Sequence, residues 1–211
     1  RSFVYPRLVA AGAEFVERGD CAVASRIPGT QDAPLQLVDL SPLMRTGIKG
    51  RRARRHLTDA GGSVPEANNT AVRAADGTLV LRLGDNELLL LSDPRGDDEA
   101  VHGLEAGIPG AGAWPVPRRD SHCWFLLRGA AATDCLAKLC GVDLRAAAFA
   151  PGAVAQTSVA RLNAIVCRDP DDDTPAFHLL ADSASALWFW DALLDAMAEF
   201  GGGPAGLDSL V

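Results

Sequence analysis

An internal repeat is the feature of this sequence that most constrains its fold. When the chain is shifted by 79 residues against itself, residues of the same type coincide without a gap. The coinciding pairs are Gly50 with Gly129, Leu57 with Leu136, Gly62 with Gly141, Thr78 with Thr157, Val80 with Val159, Arg82 with Arg161 and Leu83 with Leu162. Because one shared offset over equivalent positions indicates a duplicated structural unit, the sequence predicts two related halves.

The order of apolar runs and helical stretches is the same in both halves. Apolar and alternating runs predict strands at 35–40, 44–49, 78–83, 87–92, 123–127, 157–167 and 176–181. Helices are predicted at 51–60, 97–106, 130–139 and 183–200, three of them ending at glycines. The predicted fold class is α+β, with two repeated β-α-β-β-α units whose helices cover one face of antiparallel sheets.

Composition shifts along the chain predict its organisation. We expect an N-terminal segment at 1–34, a first unit at 35–107 and a second unit at 119–203. The connector between them, 108–118, is rich in proline and glycine. The two units are expected to form one domain.

Charge and cysteine content exclude several classes of function. The formal net charge is −7, which argues against nucleic acid as the main partner because phosphate binding needs clustered positive charge. An odd number of cysteines, five, without CxxC spacing is typical of a reducing cytoplasm. The sequence contains no uninterrupted apolar stretch of about 18 residues, so no membrane span is predicted. No secretory signal is evident either, and we therefore expect a cytoplasmic protein.

Motifs that carry catalysis, cofactors or metals are absent from the sequence, so no catalytic, cofactor-binding or metal-binding residue is predicted. Four histidines are scattered without ligand spacing, and no GxSxG, HExxH, Walker or GxGxxG motif occurs. Cys135 and Cys140 are read as small hydrophobic residues in preference to metal ligands. The acidic run 169–173 lacks the glycine and glutamate of a calcium loop and is read as a solvated hairpin tip.

A basic run forms the first candidate interface. It contains Arg51, Arg52, Arg54 and Arg55, directly after a Gly47–Gly50 segment that resembles the GxxG loop of a KH domain. No aromatic residue is interleaved for base stacking. A solvated helix face and a surface that docks an acidic partner stay open as interpretations.

The helix predicted at 183–200 carries the second candidate interface. Leu187, Trp190, Leu194 and Met197 recur at helical spacing and predict the core face. Trp188 and Phe189 lie off this stripe, and Trp188 shares its face with acidic residues. Large aromatic residues are enriched in protein interfaces, although a helix turned into a cleft of its own domain is an equally good reading.

The order of several short motifs resembles the gamma subunit of heterotetrameric sarcosine oxidase. The second half carries them in the segments FLLRGAAATDCLAKLCGVDL, AAFAPGAVAQTSVARLNAIVCRD and PAFHLLADSASALWFWDALLDAM. The matching positions are Asp120, Leu127 to Gly129, Asp143-Leu144, Phe149 with Pro151-Gly152, and Arg161-Leu162, and in the first half 43–50 and 82–90. The resemblance extends over about residues 10 to 200.

This resemblance implies a fold related to the folate-binding aminomethyltransferase, and an accessory role. Complexes of the family demethylate sarcosine oxidatively to glycine and pass the one-carbon unit to tetrahydrofolate. The resemblance places FAD, FMN, NAD, tetrahydrofolate and zinc in flavoprotein alpha and beta subunits and a small delta subunit, and none of them in this chain. Folate-active relatives carry an Asn-Ala pair where this chain has Ser92-Asp93, so folate binding by this chain is not expected.

Two other functions stay open from the sequence. The first is a stand-alone folate-binding one-carbon transfer protein, for which Asp93, Arg82 and Arg161 are the residues to test. The second is a protein-binding module that docks an acidic partner through Arg51 to Arg55. The sequence does not select sarcosine over dimethylglycine or another N-methyl amine.

Overall fold

A computed structural model describes residues 1–30, 32–108, 110–171 and 173–210. Pro109 of the predicted connector and Asp172 of the acidic run lie outside the described residues. The helices are α1 (Tyr5–Ala10), α2 (Ala53–Asp59), α3 (Glu99–Ala106), α4 (Ala132–Ala137) and α5 (Ala186–Met197). The strands are β1 (Glu14–Arg18), β2 (Cys21–Arg26), β3 (Leu35–Asp39), β4 (Arg45–Lys49), β5 (Thr70–Arg73), β6 (Leu79–Gly84), β7 (Glu87–Leu91), β8 (Trp114–Pro117), β9 (His122–Gly129), β10 (Val154–Val159), β11 (Leu162–Arg168), β12 (Ala176–Asp182) and β13 (Gly203–Ala205).

Two sheets lie face to face between layers of helices. One of them has the order β5-β6-β7-β4-β8 and the other the order β10-β11-β12-β9-β3-β13, while β1 and β2 form a separate two-stranded sheet. Neighbouring strands are antiparallel, apart from β13, which runs parallel to β3. One apolar core lies between the sheets, a second under α1, α4 and α5, and a third under α2 and α3.

Strand β9 shows how the sequence fills two of these cores at once. Trp124 and Leu126 pack into the core between the sheets, whereas Cys123, Phe125 and Leu127 pack toward the helices. Successive side chains of a strand point to opposite faces. A nearly continuous apolar run is therefore what a strand covered on both faces requires.

The two halves repeat the same order of elements and the same order of strands. The first half runs β4-α2-β5-β6-β7-α3 and the second β9-α4-β10-β11-β12-α5. Their strands are ordered β5-β6-β7-β4 and β10-β11-β12-β9. The predicted α+β class with two repeated units is confirmed, and each unit has one strand more than the β-α-β-β-α order predicted.

The strand that precedes each half in the chain pairs with the sheet of the other half. Strand β3 precedes β4 in the chain but pairs with β9, and β8 precedes β9 but pairs with β4. Each half thus completes the sheet of its partner. The division at 1–34, 35–107, 108–118 and 119–203 stays a prediction.

A buried arginine links the two halves. The guanidinium of Arg45 is fully buried and donates hydrogen bonds to the carbonyl oxygens of Ser41 and Leu43. It also donates to the carbonyls of Arg119, at 2.6 Å, and His122, at the start of the second half. Burial lowers the pKa of Arg45 to about 10, so the group remains charged at neutral pH.

The repeat alignment is correct at the first strand and helix of each half and wrong beyond them. Gly50 and Gly129 both end the first strand of a half, with φ of 134° and 144°. The segment 79–83, however, lies on β6, the second strand of its sheet, whereas 157–159 lies on the outer strand β10. The connection from α4 to β10 is longer than that from α2 to β5, which shifts the offset.

The single long strand predicted at 157–167 is also wrong. Ala160 and Arg161 have φ of 50° and 67°, and they form a tight turn that separates β10 from β11. Turns with two left-handed residues usually contain glycine or asparagine. Because neither residue type is present, the sequence carries no turn signal at this point.

Candidate functional site

A pocket of about 400 Å³ opens at one end of the space between the two sheets. Its floor is formed by Leu83, Ile165 and Leu180, which belong to the core between the sheets. Its polar lining comes from Glu87, Arg118, His122, Gln156, Thr157 and Asn163. A concave, partly apolar space with a few converging polar groups is the usual form of a ligand site.

One wall of this pocket is a chain of charged and polar contacts. Glu87 accepts one hydrogen bond from Arg118 at 2.7 Å and forms an ion pair with Lys49 at 3.1 Å. Arg118 also lies 3.3 Å from Nε2 of His122. A guanidinium can only donate, so Nε2 must accept and the proton of His122 lies on Nδ1. The two cations of this wall, Arg118 and Lys49, both form ion pairs with Glu87.

The pair formed by Ser121 and His122 is not a catalytic dyad in this arrangement. Their Oγ and Nδ1 atoms are 2.8 Å apart, but Nδ1 carries the proton and cannot accept another from the hydroxyl. Burial, together with the positive charges of Arg118 and Arg45, lowers the pKa of His122 to about 4. The imidazole is therefore neutral at physiological pH.

The opposite wall joins the two sheets through an amide. Gln156 on β10 donates to the carbonyl of Leu83 at 2.7 Å and to the side-chain oxygen of Asn69 at 3.0 Å. Thr157 and Asn163 add a hydroxyl and a second amide to the same lining. This wall offers hydrogen bonds to a neutral polar ligand.

A buried network forms a second polar cluster, which the sequence analysis missed. The indole N–H of Trp124 donates to Nδ1 of His178 at 3.0 Å, and Nε2 of His178 lies 2.9 Å from Asp169. Arg73 donates to Asp169 at 2.6 Å and to Asp171 at 2.7 Å. The sequence does contain one signal of this cluster: His178 lies within an apolar strand, and a buried imidazole requires hydrogen-bond partners.

The position of Asp169 corrects the prediction of a solvated hairpin tip at 169–173. Its side chain is only 7% exposed. Burial favours the protonated acid, but the hydrogen bond from His178 and the charge of Arg73 outweigh it and hold the pKa of Asp169 well below its usual range. Within the described part of the chain, no group of three or more His, Cys, Asp or Glu side chains is placed to hold a metal ion.

The three residues proposed for folate binding do not converge. Arg82 is buried and donates to the carbonyl of Glu66 and to Asp85. Asp93 accepts from the backbone N–H of Arg95 at 3.0 Å, beside the network of Asp169. Arg161 lies at the β10–β11 turn, on a separate groove. No single site is built from them.

The basic run lies on and just before α2, with its four arginine side chains exposed. Arg55 pairs with Asp59 at 3.4 Å, and Arg52 approaches the carbonyl of Ala111 at 3.5 Å. Gly47 of the KH-like motif lies inside β4, packed against β8, and not in a loop. The docking role of Arg51, Arg52, Arg54 and Arg55 stays a prediction.

Helix α5 is rotated by about one residue from the predicted orientation. Its buried positions are Ala186, Phe189, Trp190, Leu193, Ala196 and Met197, whereas Leu187 is 41% exposed. Phe189 is therefore wrong as an interface residue: it is fully buried, with its ring 5.7 Å from that of Phe125. Trp188 is 59% exposed and keeps its candidate role.

Trp188 lies in a groove of about 580 Å³ on the outer face of α5. Its indole N–H donates to the carbonyl of Ala160 at 3.3 Å, in the turn between β10 and β11. Leu139, Arg161 and Asp191 line the same groove. This groove is separate from the pocket between the sheets.

The cysteines lie where small hydrophobic residues are expected. All five are free thiols, and Cys21 is the one that is not buried. Burial raises the pKa of Cys123 to about 12 and that of Cys135 to about 11. These two thiols remain protonated and unreactive at neutral pH.

Comparison with known sequences decides the family. The sequence profile of the GCVT N-terminal domain matches residues 67–211, more than half of the chain. The chain belongs to the GCVT N-terminal domain family. No curated protein matches the sequence of this GCVT-domain chain. No helix among the described residues is long and apolar enough to cross a membrane.

Two solved structures share the fold of this GCVT-domain chain. A chain of heterotetrameric sarcosine oxidase from Corynebacterium sp. U-96, in complex with pyrrole 2-carboxylate, has a TM-score of 0.72 and 21% identity, over 96% of this chain and 97% of that chain. The glycine cleavage system aminomethyltransferase T from Bartonella henselae has a TM-score of 0.76 and 16% identity, over 98% of this chain and 59% of that chain. The predicted aminomethyltransferase fold is confirmed.

Proposed function

We propose that this chain is an accessory, assembly-type subunit of a heterotetrameric sarcosine-oxidase-like complex, equivalent to the gamma subunit. The observation that carries the proposal is the shared fold over nearly all of both chains. The match extends over 96% of this chain and 97% of a chain of a heterotetrameric sarcosine oxidase. The match to the aminomethyltransferase extends over 59% of that protein's chain.

The complex proposed here demethylates sarcosine, or a related N-methyl amine, oxidatively to glycine in the cytoplasm. It passes the one-carbon unit to tetrahydrofolate. Flavoprotein alpha and beta subunits and a small delta subunit would hold FAD, FMN, NAD, tetrahydrofolate and zinc. The chain described here would contribute surfaces for assembly.

The chemistry of the described side chains supports a non-catalytic role. The proton on Nδ1 of His122 prevents activation of Ser121. Both ring nitrogens of His178 are engaged, by Trp124 and by Asp169. Neither histidine is thus positioned to abstract a proton from a bound substrate.

Co-expression with the flavoprotein subunits tests the proposal. The chain should purify in a stable complex with them and should oxidise no N-methyl amine by itself. Omission of the chain should reduce the yield of assembled complex, with the flavoproteins still carrying the cofactors. Amine oxidation by the isolated chain, or a full yield of active complex without it, would contradict the proposal.

A second candidate function is binding of tetrahydrofolate by the chain alone. The pocket between the sheets favours it, since Gln156 and Asn163 offer amide groups to a planar polar ring. The carboxylates of the ligand fit less well, because Arg118 and Lys49 are both paired with Glu87. Titration of the isolated chain with tetrahydrofolate decides: saturable binding supports this function, and its absence at millimolar ligand removes it.

A further inference from the structure

The turn beneath Trp188 holds two residues in a conformation that their side chains disfavour. Ala160 and Arg161 have φ of 50° and 67°, in the left-handed region. Hydrogen bonds fix the turn on two sides: the N–H of Ala160 donates to the carbonyl of Leu139 at 3.0 Å, and its carbonyl accepts from Trp188 at 3.3 Å. Backbone strain of this kind is found most often at functional sites, including binding sites.

The strained turn presents a cation without a partner. The side chain of Arg161 is exposed and forms no hydrogen bond or ion pair with the residues that the structure describes. The nearby carboxylate of Asp191 is already bound by Arg7 through two hydrogen bonds of 2.8 and 2.7 Å. The side chain of Arg161 therefore forms no polar contact among the described residues that would offset the backbone strain.

Apolar exposure is concentrated on the same side of the molecule. Among the described residues, five large hydrophobic side chains are exposed, and three of them, Val9, Leu187 and Trp188, lie on α1 and α5. These two helices are joined by the ion pair of Arg7 and Asp191. Exposed tryptophan beside arginine is the composition found at the centres of protein interfaces.

We infer that the groove at Trp188 and Arg161 is the docking site for a partner subunit of the proposed complex. The segment that binds there places an apolar side chain on the indole of Trp188 and a carboxylate on the guanidinium of Arg161. Asp195 lines the same groove, so the groove is not uniformly basic, and the guanidinium of Arg161 selects for one carboxylate at this point of the segment. This inference rests on the proposed function and deepens it by naming the surface and the chemistry of its partner.

The variant Arg161→Asn separates docking from folding. Asparagine adopts left-handed φ more readily than arginine, so the melting temperature of the isolated chain should rise. Loss of the guanidinium should weaken binding to the flavoprotein subunits at least tenfold. A residue with a merely structural role would not produce these two changes in opposite directions. Affinity is measured by biolayer interferometry and melting by differential scanning fluorimetry.

Two further variants complete the experiment. Trp188→Ala should weaken binding at least tenfold as well, because tryptophan dominates interface energies. Arg54→Gln tests the rival surface, since the basic run on α2 is the other candidate interface, and it should leave the affinity unchanged. A loss of affinity for Arg54→Gln alone would place the interface on the basic run and overturn the inference.

The other outcomes are equally decisive. If the flavoprotein subunits bind wild type and Arg161→Asn with equal affinity, the inference is overturned and the proposed function stands. If they do not bind the wild-type chain, both are overturned. If the wild-type chain is a dimer and Arg161→Asn is a monomer with unchanged partner affinity, a second copy occupies the groove and the inferred occupant is wrong.

Discussion

Trp124 and His178 are joined by a hydrogen bond that fixes the tautomer of a buried imidazole. The indole N–H can only donate, so Nδ1 of His178, at 3.0 Å, must accept. The remaining proton lies on Nε2, which faces Asp169 at 2.9 Å. Strands β9 and β12 and the start of the acidic run are thereby connected through one imidazole.

The first prediction concerns this bond. Trp124→Phe should lower the free energy of unfolding by about 1–3 kcal/mol, beyond the loss of packing, because it leaves the buried Nδ1 atom without a donor. Urea denaturation monitored by circular dichroism measures the change. In a double-mutant cycle with His178→Leu, the two losses should be clearly non-additive. Strict additivity would show that the hydrogen bond contributes nothing.

The second prediction concerns pH and His122. The unfolded chain binds a proton at this residue near pH 6.5, whereas the folded protein keeps it neutral down to about pH 4. The unfolded state thus binds more protons between these values, and stability should fall as pH falls from 6.5 to 4. His122→Gln should flatten this part of the curve, and His102→Gln, on the exposed side of α3, should not. Equal slopes in wild type and His122→Gln would contradict the assignment.

The third prediction concerns the two glycines that the repeat brings into equivalence. A Cβ atom at Gly50 would overlap the carbonyl of Gly112, and one at Gly129 would overlap that of Pro34. Gly50→Ala and Gly129→Ala should each destabilise the fold by roughly 1–3 kcal/mol. Gly103→Ala, in the exposed face of α3 with open space around it, should instead stabilise by about 0.5–1 kcal/mol. The melting temperatures of the three variants provide the comparison. Unchanged stability in Gly50→Ala and Gly129→Ala would show that neither position requires glycine.

Local patterns in the sequence were sufficient for most of the elements. Apolar and alternating runs located β3, β4, β7 and β12, and the sequence Gly84-Asp85-Asn86 located the hairpin of β6 and β7. The exchange of β3 and β8 between the sheets could not be predicted, because strand pairing is decided by contacts between residues distant in the chain. The turn at Ala160 and Arg161 was missed because it contains none of the residues that favour left-handed φ.

The candidate sites were predicted less completely than the fold. The orientation of α5 follows from its contacts with β9, which put Phe189 against Phe125 and left Leu187 exposed. A helical stripe alone does not fix this rotation, since apolar residues occur on several sides of the helix. The cluster of His178 and Asp169 depends on β11 and β12 lying side by side. Its members are spread over the sequence and carry no motif.

Native mass spectrometry of the chain, purified through an affinity tag under non-denaturing conditions from cells that also produce the flavoprotein subunits, distinguishes an assembled subunit from a free-standing protein. An accessory subunit should appear in one assembly in which a single 22.1 kDa copy of this chain accompanies flavin-containing subunits. Activation in the gas phase should release the chain without flavin, since the cofactors belong to its partners. A stable 22.1 kDa monomer that never joins the flavoproteins, or a monomer that retains bound folate, would contradict the proposed role.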